Sequence, residues 1–167
     1  MMMDTTPEHP RDEAYYFEDF APGRIFRTPP FVASAEQIVR FAEDYDPQYY
    51  HLDAEKARHS IFGGLVCPGF QTASLAWGLA LKTGLFRHCA VAGIGIDRLR
   101  WLKPVREGDT IHAEFELAEG RPSASRPGIA RATFDYRMLN QHGETVMTLS
   151  LIQLLRLRPA GAPAPLK

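Results

Sequence analysis

Residues 70–82, FQTASLAWGLALK, have the length of a helix and almost no polar face. Ala73, Leu75, Ala76, Trp77, Leu79, Ala80 and Leu81 cover it on nearly every side. A helix that is apolar nearly all round belongs inside a protein. Pro68-Gly69 precedes it and Gly84 ends it. From residue 90 onward the period changes, and 90–102, 110–117, 129–139 and 145–157 read as long strands. Turns are expected at 103–109 and 140–143, with a looser polar connection at 120–128. Helices first and strands last indicate an α+β protein with an antiparallel sheet. One long curved sheet wrapped around the central apolar helix is the arrangement that these elements allow.

Ahead of that helix, 24–28 reads as a short strand stopped by Pro29-Pro30. Ser34 and Gln37 have the capping-box spacing, and Ile38, Phe41, Ala42 and Tyr45 repeat at helical intervals. An amphipathic helix is therefore expected over 35–44. Pro47 blocks its continuation and pushes Asp46 out of helical geometry. Asp53 can cap a second short helix over 54–60, which Gly63-Gly64 ends.

A chain of 167 residues fits one domain, expected over 14–158, with flexible termini at 1–13 and in the Pro/Ala-rich tail 159–167. A formal net charge of -1 offers no field for a nucleic-acid backbone. The N-terminal residues lack the apolar core of a signal peptide, and the richest apolar run, 73–81, is far short of a bilayer span. A soluble cytoplasmic protein, with neither nucleic acid nor membrane as partner, is the expectation. Cys67 and Cys89 form no CxxC pattern and have no histidine pair nearby, so no structural zinc site is expected.

Four features could carry chemistry. Asp46 and His51 stand across a proline-bearing loop. A histidine exchanges protons near neutral pH, and a carboxylate beside it orients the ring or shares the transfer. The bland alternative is a helix-stopping turn with a surface histidine. Gly69 opens the buried helix, where free amides favour negative charge and a missing side chain lets a carbonyl approach closely. A plain turn before a core helix explains it equally. Cys67 with His51 as base would make a nucleophile, but nothing electropositive surrounds it, and a core cysteine is the simpler account. Arg98, Arg100, Lys103 and Arg106 could meet carrier phosphates or be solvated strand and turn charges. His9, His59, His88 and His112 have no partner pattern.

Three stretches carry a family resemblance: FAEDYDPQYYHLD at 41–53, FGGLVCPGFQTASLAWGL at 62–79 and RLRWLKPVREGDTI at 98–111. Over about residues 16–156 the chain resembles the MaoC-like hydratases and dehydratases, which have the hotdog fold. Asp46, His51 and Asp53 fall on the family's motif of an Asp, four residues, a His and a further Asp. The resemblance implies that Asp46 and His51 are the catalytic pair and that the Gly69 amide holds a thioester carbonyl. It also implies acyl-coenzyme A or acyl-carrier thioesters as substrates, no metal or cofactor beyond that coenzyme A, and a homodimer. The expected reaction is reversible addition of water to a trans-2-enoyl thioester.

The sequence departs from the usual D-x-N-P-x-H: Pro47 comes one place early, Gln48 stands at the Asn position and Pro68 replaces the histidine before Gly69. Substrate choice is what these changes touch. Gln48, Tyr50, Phe70 and Trp77 are the expected substrate-binding residues, with Tyr49 beside them as a further aromatic wall. Two other functions fit the same fold, a thioesterase and a non-catalytic acyl-binding module. The first suits an acidic residue on the buried helix, and 70–82 has none.

Overall fold

A computed structural model describes residues 14–164. The segment 1–13, His9 within it, and residues 165–167 of the tail lie outside the described residues. Strands β1 (Phe26–Arg27) and β2 (Phe31–Val32) come first, then helices α1 (Ala35–Tyr45), α2 (Tyr49–Leu52), α3 (Ala54–Ala57) and α4 (Gly69–Lys82). Four long strands complete the chain: β3 (Ala90–Trp101), β4 (Thr110–Pro122), β5 (Ile129–Leu139) and β6 (Thr145–Arg156).

All pairings are antiparallel, in the order β1-β4-β5-β6-β3, with β2 also on β4. Strand β5 is therefore central and β3 is an edge. Alternate residues of β5, from Ala130 through Ala132, Phe134 and Tyr136 to Met138, are buried. Such alternation is what one face packed on a core requires. The core is rich in rings: Phe20 stacks on Phe86 at 5.1 Å and meets Phe134 edge-on at 5.1 Å. Phe115 stacks on Tyr136 at 5.1 Å. This is an α+β hotdog fold, a curved sheet around α4.

Helix α1 starts as its capping box dictates, with Ser34 Oγ accepting from the Gln37 amide at 3.3 Å. Elsewhere the bounds move for physical reasons. The expected strand 24–28 shrinks to Phe26–Arg27, and the two prolines interrupt rather than end the edge, since Phe31 resumes pairing opposite Ile111. Strand β4 continues to Pro122 opposite Ala130, so the first third of the expected loose connection 120–128 is ladder. Backbone pairing there does not need apolar side chains. The second helix stops at Ala57 and not at 60, and His51, expected on a loop, sits on the additional short helix α2.

Helix α4 is central to the fold as expected, but within a single chain it is not covered all round. One sheet covers one side of it. On the other, Phe70 is 62% exposed, and Leu81 is exposed too. Strand β3 shares this openness, since Val91, Ile94, Ile96 and Trp101 are all exposed along the unpaired edge.

Candidate active site

Helix α1 ends where its last ladder bond, Asp46 N–H to the Ala42 carbonyl, is made at 3.0 Å. The Asp46 backbone then leaves helical geometry (φ -157°, ψ 68°) because Pro47 follows. Within three residues the chain turns back into α2, whose His51 amide donates to the Gln48 carbonyl at 2.9 Å. This reversal aims His51 at Asp46: Nε2 lies 3.5 Å from Asp46 Oδ2. His51 is 5% exposed, whereas the Asp46 carboxylate retains contact with solvent.

Two tethers fix this pair. The Gln48 side-chain amide donates to Asp46 Oδ1 at 2.7 Å, and the Tyr50 hydroxyl donates to the other end of that amide. The Tyr50 ring also meets the imidazole edge-on at 4.5 Å. On the far side of the imidazole, Nδ1 lies 2.7 Å from the Val66 carbonyl oxygen. A carbonyl only accepts, so Nδ1 carries a proton, and whenever the ring is neutral its lone pair is at Nε2. Asp46 Oδ2 and His51 Nε2 are then two acceptors facing one another. A water molecule, with two O–H donors, is the small ligand that suits both. Burial, reinforced by the Asp46 charge, raises the Tyr50 phenol above its ordinary range, so it stays a donor at neutral pH.

The Val66 anchor also places Gly69. Val66 N–H donates to the Tyr50 carbonyl at 3.3 Å, Cys67 N–H to Val105 at 2.8 Å, and the chain then enters α4 through Pro68. Gly69 is the first helical residue, so its amide has no acceptor within α4. A second constraint acts on it. The Trp101 indole lies so close that a Cβ at 69 would stand 2.6 Å from Trp101 Cε2. The indole Nε1–H donates to the Gly69 carbonyl at 2.9 Å, and Phe70 meets the same ring edge-on at 5.4 Å.

Of the expected substrate-binding residues, Gln48 and Tyr50 are brought to the Asp46–His51 pair. Phe70 and Trp77 are not; they line a cavity of about 320 Å³ between α4 and the sheet. Val66, Trp101, Tyr136 and Gln153 were not singled out by the sequence. Gln153 had a signal, as the one amide in the run LSLIQLLRL. The Val66 contribution is a backbone atom and has none.

A model of the MaoC like domain matches residues 19–133, more than half of the chain. The chain belongs to the MaoC-like domain family. The solved MaoC-like dehydratase of Rhodospirillum rubrum is similar at 37% identity and TM-score 0.79, with 87% of this chain and 99% of that one covered. Protein YdeM of Bacillus subtilis is 31% identical over 112 residues, 67% of this chain and 79% of YdeM. Mesaconyl-CoA hydratase of Cereibacter sphaeroides is 42% identical over 79 residues, 46% of this chain but only 22% of that enzyme.

The remaining candidates of this MaoC-like chain make contacts within the protein. Arg98 binds Asp135 at 2.9 Å and Ser150 at 3.0 Å, and Lys103 pairs with Glu144. Arg106 donates to the Phe62 carbonyl, and Arg100 to its neighbour Leu99 at 2.8 Å. Cys67 is no nucleophile, because burial pushes its thiol up to about 12, as it does for Cys89. Both values lie above the ordinary 9.0, so between about pH 9 and 12 the folded chain holds protons that the unfolded chain has lost. That contribution is complete below pH 9 and disappears as pH rises toward 12. The urea midpoint is expected to fall steadily from pH 8.5 to 11, with both thiols unreactive to iodoacetamide at pH 8 until urea is added. A flat midpoint across that window would contradict the burial argument. Among the described residues, no three His, Cys, Asp or Glu side chains converge as a metal site would require. No helix of the described residues is long and apolar enough to cross a membrane.

Proposed function

We propose that the chain adds water reversibly to the double bond of a trans-2-enoyl thioester, of coenzyme A or an acyl carrier, giving a 3-hydroxyacyl thioester. Acyl-thioester hydration in general is what membership of the family supports, and mesaconyl-CoA hydratase is one relative with such a name. The observation that carries the proposal is the facing pair of acceptors, Asp46 Oδ2 and His51 Nε2, 3.5 Å apart with the ring tautomer fixed from behind. Water held by both has its oxygen lone pair free to attack C3. One of the pair takes a water proton as the C3–O bond forms, and C2 receives a proton from the pair. Because the two groups interact, they are described jointly. The thioester oxygen, where negative charge develops, accepts from the Gly69 amide, a donor typically worth about 3 to 4 kcal/mol in the transition state.

Assembly belongs to the same proposal. The unpaired twelve-residue edge β3 and the open apolar side of α4 are surfaces that a second copy would cover. The active form is a homodimer, with no cofactor other than the coenzyme A of the substrate.

Following crotonyl-coenzyme A absorbance together with free-thiol release tests the reaction. Hydration removes the enoyl signal without releasing thiol. Thiol release would make the protein a thioesterase, a function disfavoured by the lack of any acidic residue in α4. Neither signal would leave an acyl-binding module.

A further inference from the structure

The cavity of about 320 Å³ beside α4 begins at Phe70, next to Gly69, and runs past Ala73 and Trp77 toward β3, β5 and β6. Ile96, Leu149 and Leu151 make most of its sheet wall apolar. Two residues break that pattern. Gln153 is 2% exposed and Tyr136 is 1% exposed, and both line the cavity. Neither amide atom of Gln153 nor the Tyr136 hydroxyl has a hydrogen-bond partner within the protein. More than nine in ten buried polar groups are paired, so three unpaired atoms along one cavity ask for a ligand.

The packing keeps the amide available. Across the strands Gln153 is flanked by Gly93 on β3 and Ala132 on β5, neither of which has a polar side chain to offer it. A Cβ on Gly93 would meet nothing within 4 Å, so that neighbour sets no side chain against the amide. Tyr136 pairs with Leu149, four residues before Gln153 on β6, which spaces the two polar points by about 13 Å along the strand. Trp101, which holds the Gly69 carbonyl, pairs with Met147, so along β6 Tyr136 is nearer to the Gly69 end and Gln153 is deeper.

The chemistry of the wall narrows the ligand. An amide offers donors and an acceptor, and a phenol offers one of each. No Lys, Arg, His, Asp or Glu lines the cavity. A carboxylate in the acyl tail would be buried there without a counter-charge, which is strongly unfavourable. A plain alkyl tail would leave all three polar atoms unpaired. We infer that the acyl chain accepted here is oxygenated, carrying an uncharged hydroxyl or ketone that Tyr136 or Gln153 receives. This deepens the hydratase proposal and rests on it for the position of the reacting end.

The test separates the two. Wild-type protein is titrated calorimetrically with matched saturated acyl-coenzyme A pairs of six, eight and ten carbons, ending in methyl or in hydroxyl, none of which can be hydrated. Crotonyl-coenzyme A hydration is measured alongside. The hydroxyl-ended ligand is expected to bind at least about tenfold tighter at one length, the scale of one satisfied against one unpaired buried group. Gln153→Met or Tyr136→Phe should remove that preference. A methyl-ended ligand that binds as well or better at every length overturns the inference, whatever the variants do. So does a preference that survives both substitutions. Tail preference without crotonyl hydration would refute the enzyme and keep the oxygenated-acyl site, whereas hydration without preference would do the reverse.

Discussion

Asp46→Asn and His51→Ala should each lower kcat for enoyl-thioester hydration by about 100- to 10,000-fold, the range of a positioned acid or base. Asparagine keeps the shape of Asp46 but replaces one of its acceptors by a donor. The water-binding arrangement opposite His51 Nε2, 3.5 Å away, is then lost. His51→Ala removes the other acceptor and leaves the Val66 carbonyl without its donor, at a stability cost of about 1 to 3 kcal/mol. The variant should therefore still fold, which circular dichroism and a melting curve check. The double variant should be little worse than either single one, because groups acting as a unit are not additive. Near-normal turnover in either single variant would sink the mechanism.

Gly69→Ala carries the second large effect. The new methyl group would sit 2.6 Å from Trp101 Cε2, closer than real contacts allow, so the indole or the first turn of α4 must move. Either shift displaces the Gly69 amide, and losing one such donor typically costs about 100- to 1,000-fold in kcat. Adding Trp101→Ala makes room for the methyl. The pair should recover only part of the loss, since removing the indole also removes the hydrogen bond that holds the Gly69 carbonyl. Complete recovery would trace the whole loss to the clash with the indole, and an unaffected single variant would show that the indole yields without displacing the amide.

The long elements were legible because each had a strong period. Four strands and α4 lie within a few residues of where alternation and the apolar run put them, and the Ser34 box marks the start of α1 correctly. What failed was decided by partners. Prolines at 29 and 30 say that a strand must break, but not that Phe31 will find Ile111 beyond them. The residues from Gly120 to Pro122 read as loop, yet their backbone has β5 to pair with. The openness of α4 could not be seen either, since apolarity records what must be covered and not by which chain. Within the site, the spacing of Asp46 and His51 was visible and their meeting was not. That meeting depends on the short helix α2, a single turn too brief to leave a periodic pattern. The clamp of Trp101 on Gly69 joins residues distant in sequence, which a motif does not show.

The bond from His51 Nδ1 to residue 66 has a consequence for how the centre withstands mutational drift. Its acceptor is a peptide oxygen, present whichever amino acid is encoded there. Valine can change to isoleucine, leucine or threonine, subject to packing, without altering which nitrogen keeps the proton. A side-chain anchor would have been lost to one codon change. Proton placement at this centre is thus inherited through the path of the backbone, and it leaves no letter in the sequence by which descendants could be recognised as having kept it.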